Sequence, residues 1–299
     1  MQKFMPVDYL YSNIFEVSAE DKPGNVDCYT AGFPCQPFSM AGKGLGENDP
    51  AGRGIIVWHA VAYIVSQRPK FFILENVKGL VGRFPELFNT LIDTLRSIPN
   101  LDGKPAYECH WHVMDTSVEG ALPQSRKRVY IIGLLRSEMR TPFTWPGALH
   151  KVKPLNEILN DKVGDVETLF QLHETAQNNI LKVIGKMDMK NSGDIILDAG
   201  GSAAHWMTGK SPCLTASRAG ARNYFSVARC RMLDCNEMMG LQGIEPSFFQ
   251  GWEKILSERK MGMIIGNAMS LSIVERIMHN GMKSLGFKVK ADRWAQKYS

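Results

Sequence analysis

One cysteine stands in a frame that would fix the direction of its thiol. The stretch AGFPCQPFSMAGKG, residues 31–44, places Cys35 between Pro34 and Gln36-Pro37, directly after a strand-like run. Prolines restrict the backbone on both sides, whereas a cysteine that only fills a core needs no such restriction. A nucleophilic cysteine needs a fixed direction and an open approach, so Cys35 is a candidate nucleophile.

Three further short motifs carry polar groups that could act with such a thiol. They are ENV at 75–77, QSRKR at 124–128 and GNAMS at 266–270. The carboxylate of Glu75 can move a proton, and the two arginines of QSRKR are permanent cations with forked donors. Taken alone, each motif also fits a structural role, as a strand end, a charged surface turn or a packed helix end.

The elements around these motifs predict an α/β fold with a largely parallel sheet. Four apolar runs are predicted strands: 26–34, 70–77, 107–115 and 128–136. Two segments with a helical period are predicted helices: 54–69 and 84–99. Because catalytic groups gather at the carboxyl ends of the strands in such a sheet, we expect Cys35 and Glu75 to lie there together.

The composition is that of a globular protein. The chain has 299 residues, 44% of them hydrophobic and 22% charged, with no apolar run long enough for a membrane span and no signal-peptide layout. The net charge of +5 permits a polyanionic partner but does not require one. No two of the six cysteines form a Cys-x-x-Cys pair, so we predict neither a zinc site nor a redox pair, and free thiols in a reducing compartment.

The order of the four motifs resembles that of the cytosine carbon-5 methyltransferase family. Pro-Cys-Gln, Glu-Asn-Val, Gln-x-Arg-x-Arg and Gly-Asn occur in that order in the family, and the likeness runs from about residue 12 to 280. Smaller matches agree with it: DPAGRGIIVWHAV, SPCLTASR and RMLDCNEMMGLQGI. The resemblance therefore implies a methyltransferase sheet of Rossmann-like type.

The resemblance also implies roles for individual residues. In the family a thiolate adds to carbon 6 of cytosine, because carbon 5 of the aromatic ring becomes nucleophilic only after that addition. Cys35 would be the nucleophile, Glu75 the acid at ring nitrogen N3, and Arg126 and Arg128 cations near the base oxygen O2 and the glutamate, while Asn76 would orient the loop. The implied contacts to a flipped base are Phe33, Pro34, Ser39 and Gln124, the last also bracing its loop.

The implied methyl donor is S-adenosylmethionine. Its implied binding residues are Asn13, Ile14, Pro34, Ile56, Asn267 and Met269. The family's Phe-x-Gly-x-Gly motif, which cradles the donor, is absent from residues 1–34, so we expect a sheet lacking its first βαβ unit. We further expect this chain alone to bind the donor weakly or not at all and to be poorly soluble, and about 45 added N-terminal residues of family type to restore both.

Three segments follow from the same resemblance. Residues 1–145 would form a partial Rossmann-like catalytic domain, 146–212 an irregular target-recognition lobe, and 213–299 the part that completes the catalytic domain. A helix from about Gly266 to Met282 would fold back against the sheet. The glycine-rich stretch 39–54 resembles the family's mobile loop, in which basic side chains would touch phosphates.

The function predicted from these residues is cytosine carbon-5 methylation of double-stranded DNA. Two alternatives stay open at this point. One is a non-catalytic relative that binds DNA or a partner methyltransferase, which the absent donor motif favours and the intact Cys35 and Glu75 oppose. The other is an RNA cytosine methyltransferase on the same scaffold.

Overall fold

The computed structural model of the chain describes residues 8–11, 13–38, 46–50, 52–186 and 194–299. These residues divide into two compact units. The first unit takes the described residues of Met1–Met114, Lys127–Pro146 and Ile277–Ala291. The second unit takes those of Asp115–Arg126, Gly147–Arg276 and Asp292–Ser299. Within the described residues, no helix has the length and apolar character that a membrane crossing requires.

The first unit is built on a four-stranded sheet of order β1-β2-β4-β3. The strands are β1 Cys28–Gly32, β2 Phe71–Val77, β3 Tyr107–Asp115 and β4 Lys127–Leu135. All four predicted strands are therefore confirmed, and β1 pairs with β2 in parallel. The expectation of a largely parallel sheet is wrong, because β2 pairs with β4 antiparallel. β3 and β4 are joined by residues 116–126, which hold neither a helix nor a strand. For β4 to run parallel to β3, the chain would need a longer crossover connection, which is usually helical.

Helices cover this sheet and bury its apolar side chains. They are α1 Ile56–Gln67, α2 Gly79–Arg83 and α3 Pro85–Ser97, so both predicted helices are confirmed. α1 ends at Arg68, whose φ of 51° is left-handed, immediately before Pro69. The core of this unit includes Ile64, Phe72, Leu74, Leu91 and Ile131. Because every residue of β2 is buried, this strand forms the rigid centre on which the site is built.

The second unit has its own antiparallel sheet of order β6-β5-β7-β8. Its elements are α4 Glu174–Ile184, β5 Ile195–Asp198, β6 His205–Thr208, α5 Ala216–Gly220, β7 Tyr224–Ser226, β8 Arg231–Met232, α6 Cys235–Leu241, α7 Glu258–Asn267, α8 Leu271–Ser284 and α9 Arg293–Tyr298. The C-terminal part of α8 belongs to the first unit.

This sheet differs from the predicted division of the chain. The segment 146–212 was expected to be an irregular lobe, but β5 within it pairs with β7, where Ile196 faces Ser226. The sheet therefore continues past residue 212 into the segment expected to complete the catalytic domain. α4 packs its buried Ile180 and Val183 against Leu197 and Phe225 of this sheet, which gives the unit a core of its own. A target-recognition role for it stays a prediction.

The C-terminal helical region also differs from expectation. A single helix was predicted from about Gly266 to Met282, preceded by a strand or turn. Instead α7 ends at Asn267 and α8 begins at Leu271, with Ala268-Met269-Ser270 as the link. α7 begins at Ser257, whose side chain accepts from the backbone N–H of Lys260. α8 does pack on the first sheet as expected, because Gly281 lies against the ring of Phe71 on β2.

Candidate active site

The candidate nucleophile and the candidate acid lie at the same end of two adjacent parallel strands. Gly32, the last residue of β1, is the register partner of Glu75 on β2, and Cys35 lies just beyond β1. The amide of Asn76 donates to the carbonyl oxygen of Phe33 over 3.1 Å and its own oxygen accepts from the N–H of Val77 over 2.8 Å. Asn76 is therefore the group that orients the Cys35 loop, as expected from the sequence.

The turn around Cys35 is anchored in the core on both sides. The backbone N–H of Phe38 donates to the carbonyl oxygen of Cys35 over 3.0 Å. The rings of Phe33 and Phe38 are both buried and meet edge to face, with centroids 6.3 Å apart. Cys35 itself is half-buried between them. This arrangement fixes the backbone that carries the thiol and leaves part of Cys35 accessible.

Glu75 forms an ion pair with Arg128. The Nε of Arg128 lies 3.1 Å from Oε1 of Glu75, and the two side chains are only 12% and 9% exposed. The antiparallel register places Glu75 opposite Tyr130, and Arg128 lies two residues away on the same face of β4. Diagonal neighbours of this kind are within reach of long side chains. The predicted proximity of Arg128 to the glutamate is thus present.

Arg126 lies before β4 and makes its contacts within the second unit. Its guanidinium donates to the carbonyl oxygens of Leu214 over 2.7 Å and of Ala268 over 2.8 Å, and the residue is only 2% exposed. Gln124 is also buried; its amide donates to the carbonyl of Leu241 and accepts from the N–H of Leu214. Gln124 therefore braces its loop, as expected, while both side chains bind backbone.

The residues predicted to contact the base or the DNA differ in their burial and in their surroundings. The ring of Phe33 belongs to the core, so a contact with substrate would have to come from its backbone. Pro34 is half-buried next to Cys35. Ser39 lies outside the described residues, as do Lys43 and half of the predicted mobile loop, residues 39–45 and 51. Arg53, expected to touch phosphate, binds Asp49 through two contacts of 2.7 Å.

Four other cysteines are held in the thiol form by their surroundings. Burial raises the pKa of Cys109 to about 12 and that of Cys235 to about 11. Burial also raises the pKa of Cys28 and of Cys230 above the ordinary value. Because the thiolate is the nucleophile, these four residues are poorly suited to attack at neutral pH, which agrees with the structural role expected for them.

The predicted donor-binding residues are divided between the two units. In the first unit Asn13 is exposed and accepts from the N–H of Phe15 over 3.1 Å, while Ile14, Pro34 and Ile56 are half-buried. In the second unit Asn267 is exposed and Met269 is half-buried. Each group thus combines an exposed amide with apolar side chains.

An open cavity of about 580 Å³ lies beside Ile14 and is also lined by Tyr29 and Tyr63. These two rings stack with centroids 4.4 Å apart. Cavities of about 300–1,000 Å³ with apolar walls and a few polar groups are typical ligand sites. Of the predicted donor-binding residues of the first unit, Ile14 lines this cavity, and a donor site here stays a prediction. The two tyrosines were missed from the sequence because they read only as strand and helix core.

Gln242 is another residue that sequence reasoning missed. It is fully buried at the end of α6, and its amide donates to the carbonyl oxygens of Ile265 over 2.9 Å and of Ala268 over 3.3 Å. It occurs in the LQG stretch of a motif already noted for its resemblance, which was the available signal. A glutamine after an apolar run gave no indication of its partners more than twenty residues away.

Comparison with known proteins agrees with this geometry. Residues 8–283 match the model of the C-5 cytosine-specific DNA methylase family. The chain belongs to this family. The resemblance read from the motifs is therefore confirmed, and so is the enzyme class, cytosine-C5 methyltransferase.

Two curated relatives extend over most of the chain. Type II methyltransferase M.NgoBI of Neisseria gonorrhoeae is 32% identical over 271 residues, which cover 89% of this chain and 76% of that protein. Type II methyltransferase M.HaeII of Haemophilus aegyptius is 28% identical over 280 residues, or 94% of this chain and 81% of that protein. Both relatives carry the name of type II methyltransferases.

Two solved structures share the fold. The Entamoeba histolytica methyltransferase EhMeth superposes with a TM-score of 0.63 at 18% identity, over 95% of this chain and 86% of its own. The S. pombe Dnmt2 methyltransferase gives a TM-score of 0.61 at 14% identity, over 96% and 87%. The predicted fold class, an α/β methyltransferase sheet, is confirmed.

Proposed function

We propose that this protein methylates carbon 5 of cytosine in double-stranded DNA, with S-adenosylmethionine as donor and Cys35 as the covalent nucleophile. One observation carries the proposal: Cys35 lies just beyond β1, Glu75 lies near the end of the adjacent parallel strand β2 as the register partner of Gly32, and Arg128 binds the carboxylate of Glu75. DNA is favoured as substrate because the matching family model is that of DNA methylases and the curated relatives are type II enzymes.

Cys35 begins the reaction on a cytosine turned out of the helix. Its Sγ forms a bond to carbon 6, and the electrons of the 5,6 double bond move through carbon 4 onto N3 as N3 takes up a proton, which leaves an enamine whose carbon 5 can attack a methyl group. After that attack a base removes the carbon-5 proton and Sγ leaves carbon 6, which restores the 5,6 double bond and the free thiolate. The core anchors Phe33 and Phe38 hold the loop in place during this step. Fixed positioning of this kind converts a bimolecular attack into an effectively unimolecular one.

Glu75 supplies the proton that N3 needs as the thiolate adds. When the proton has passed to the base, the carboxylate that remains is stabilised by the guanidinium of Arg128, 3.1 Å away. Because both side chains are largely buried, the charge that they share is screened little by water.

The donor supplies an electrophilic methyl group. By resemblance to the family, the residues that would hold it are Asn13, Ile14, Pro34, Ile56, Asn267 and Met269. The amides of Asn13 and Asn267 suit the polar edges of a nucleoside, and the half-buried apolar side chains suit the face of its base.

The proposal is tested by release of tritium from duplex DNA that contains [5-³H]cytosine. Addition of the thiolate makes carbon 5 basic, so it exchanges its hydrogen with water even without a methyl donor. The full chain should release tritium, Cys35→Ser should not, and the control Cys28→Ser should match the wild type. Release by Cys35→Ser, or by the wild type from transfer RNA but not from DNA, would overturn the proposal, and no release from either would favour a non-catalytic relative.

A further inference from the structure

The link between α7 and α8 is held by buried side chains from elsewhere in the second unit. The last carbonyls of a helix have no partner within it, and the last turn of α7, which the structure describes in full, carries no Lys or Arg. Arg126 supplies the missing cation: it donates to Ala268 over 2.8 Å and approaches the carbonyl oxygen of Gly266 at 3.4 Å. A cation at a helix C-terminus is stabilising.

Gln242 makes a second set of contacts to the same link. Its amide N–H groups donate to the carbonyls of Ile265 and Ala268, and its amide oxygen accepts from the hydroxyl of Ser270 over 3.3 Å. Its backbone carbonyl accepts from the N–H of Leu271, the first residue of α8, over 2.9 Å. A single buried glutamine thus spans the link from the end of one helix to the start of the next.

The far end of the link is fixed by a hydroxyl pair. Oγ of Ser270 lies 2.5 Å from Oγ1 of Thr116, and both residues are almost fully buried. By contrast, Asn267 is exposed and Met269 is half-buried. The backbone of the link is therefore fixed from inside while its side chains remain available at the surface, which is the arrangement of a segment that presents groups to a ligand.

We propose that Gln242 and Arg126 are positioning residues for the methyl donor, acting through the backbone of residues 266–270. This inference rests on the proposed function, because it assigns the donor to the exposed side of that segment. Arg126 then acts through the link rather than by touching the base. Loss of the Gln242 amide removes its hydrogen bonds to the carbonyls of Ile265 and Ala268, and the segment is then held by fewer buried contacts.

The test is Gln242→Met, which keeps the length of the side chain and removes its donors. We expect donor affinity measured by calorimetry to fall by about tenfold or more. Amide hydrogen exchange of peptides that cover 266–271 should rise in the absence of donor. Donor-independent tritium release from [5-³H]cytosine should stay within about twofold of wild type, because the Cys35 site is untouched.

The matched control is Asn179→Leu in the same unit. Asn179 is also buried, and its amide also donates to two backbone carbonyls, those of Ala199 and Gly201, each over 2.9 Å. Its loss should lower the unfolding midpoint as much as Gln242→Met does, without changing donor affinity. Equal loss of affinity in both variants, unchanged affinity in Gln242→Met, or a wild-type chain that binds no donor would overturn the inference. A wild-type chain that binds donor but releases no tritium would instead refute only the covalent mechanism.

Discussion

Asn76 donates a 3.1 Å hydrogen bond to the carbonyl oxygen of Phe33, and this contact joins the end of β2 to the loop that carries Cys35. The residue before Asn76 is Glu75, and the residue after Phe33 is Pro34, next to the thiol. The distance between Cys35 and Glu75 is therefore fixed by the buried amide of Asn76 and by the short backbone segments on either side of this hydrogen bond. Asn76 is only 1% exposed, so water does not compete for this bond.

Asn76→Asp tests this connection, because it keeps the shape of the side chain and removes the donor. The carbonyl of Phe33 would be left facing a carboxyl group, and we expect the free energy of unfolding to fall by about 1–3 kcal/mol. Tritium release should fall by more than the unfolded fraction explains. Asn179→Asp, which loses two comparable bonds in the second unit, should cost stability alone; equal rates in the two variants would contradict the assignment.

Glu75→Gln tests the acid. The amide keeps the size of the side chain and a hydrogen-bonding group, but it cannot deliver a proton to N3. We expect tritium release and methyl transfer to fall by roughly 10²–10⁴. The control is Glu237→Gln, since Glu237 is equally buried and pairs with Arg231 at 2.7 Å in the second unit. Near-native turnover of the Glu75 variant would make this residue structural.

Two arginines separated by one residue should give opposite phenotypes. Arg128→Lys should lower tritium release, because a point charge does not replace the forked guanidinium beside Glu75. Arg126→Lys should weaken donor binding and leave donor-independent release nearly unchanged, because its partners are the carbonyls of Leu214 and Ala268. The two assays on both variants decide the matter, and the same profile for both would show that Arg126 also serves the base.

Much of the site follows from local sequence, and the rest does not. Cys35 and Glu75 are predictable because each follows a strand marked by a short apolar run, and strand ends meet at one edge of a sheet. Arg126 is grouped with Arg128 in the sequence because both arginines belong to the Gln-x-Arg-x-Arg motif. β4 begins only at Lys127, so Arg126 lies outside it and binds elsewhere, which spacing alone does not reveal.

The helix α7 shows the same limit in the fold. The sequence from residue 261, which includes Gly262 and Gly266, is interpreted as a strand or turn followed by a buried helix, whereas α7 covers it as far as Asn267. In the structure these glycines allow backbone contact: a Cβ at Gly262 would overlap the carbonyl of Ala219 in α5, and one at Gly266 would overlap Thr215. These glycines are required for tertiary packing, and local helix propensity gives no information about such contacts.

Gly266→Ala should therefore destabilise the chain although alanine favours helices. The added methyl group meets backbone atoms of Thr215 and Ala216, which are unable to rotate away as a side chain would. We expect a loss of about 1–3 kcal/mol in the free energy of unfolding, measured with urea. Gly82→Ala in α2 is the control, because its methyl group would meet nothing within 4 Å; it should be neutral or slightly stabilising. Equal effects would contradict the close packing of α7.

The most direct measurement of the central claim is covalent trapping on a duplex that contains 5-fluorocytosine. In this base, fluorine replaces the carbon-5 hydrogen that is normally lost as a proton after methyl transfer. Sγ therefore cannot be eliminated from carbon 6, and the adduct persists. With S-adenosylmethionine present, peptide mapping by mass spectrometry should find the modified base on Cys35 and on no other cysteine. An adduct on Cys28, Cys109 or Cys213, or unmodified protein after complete methylation of an ordinary duplex, would contradict the assignment of Cys35 as the nucleophile.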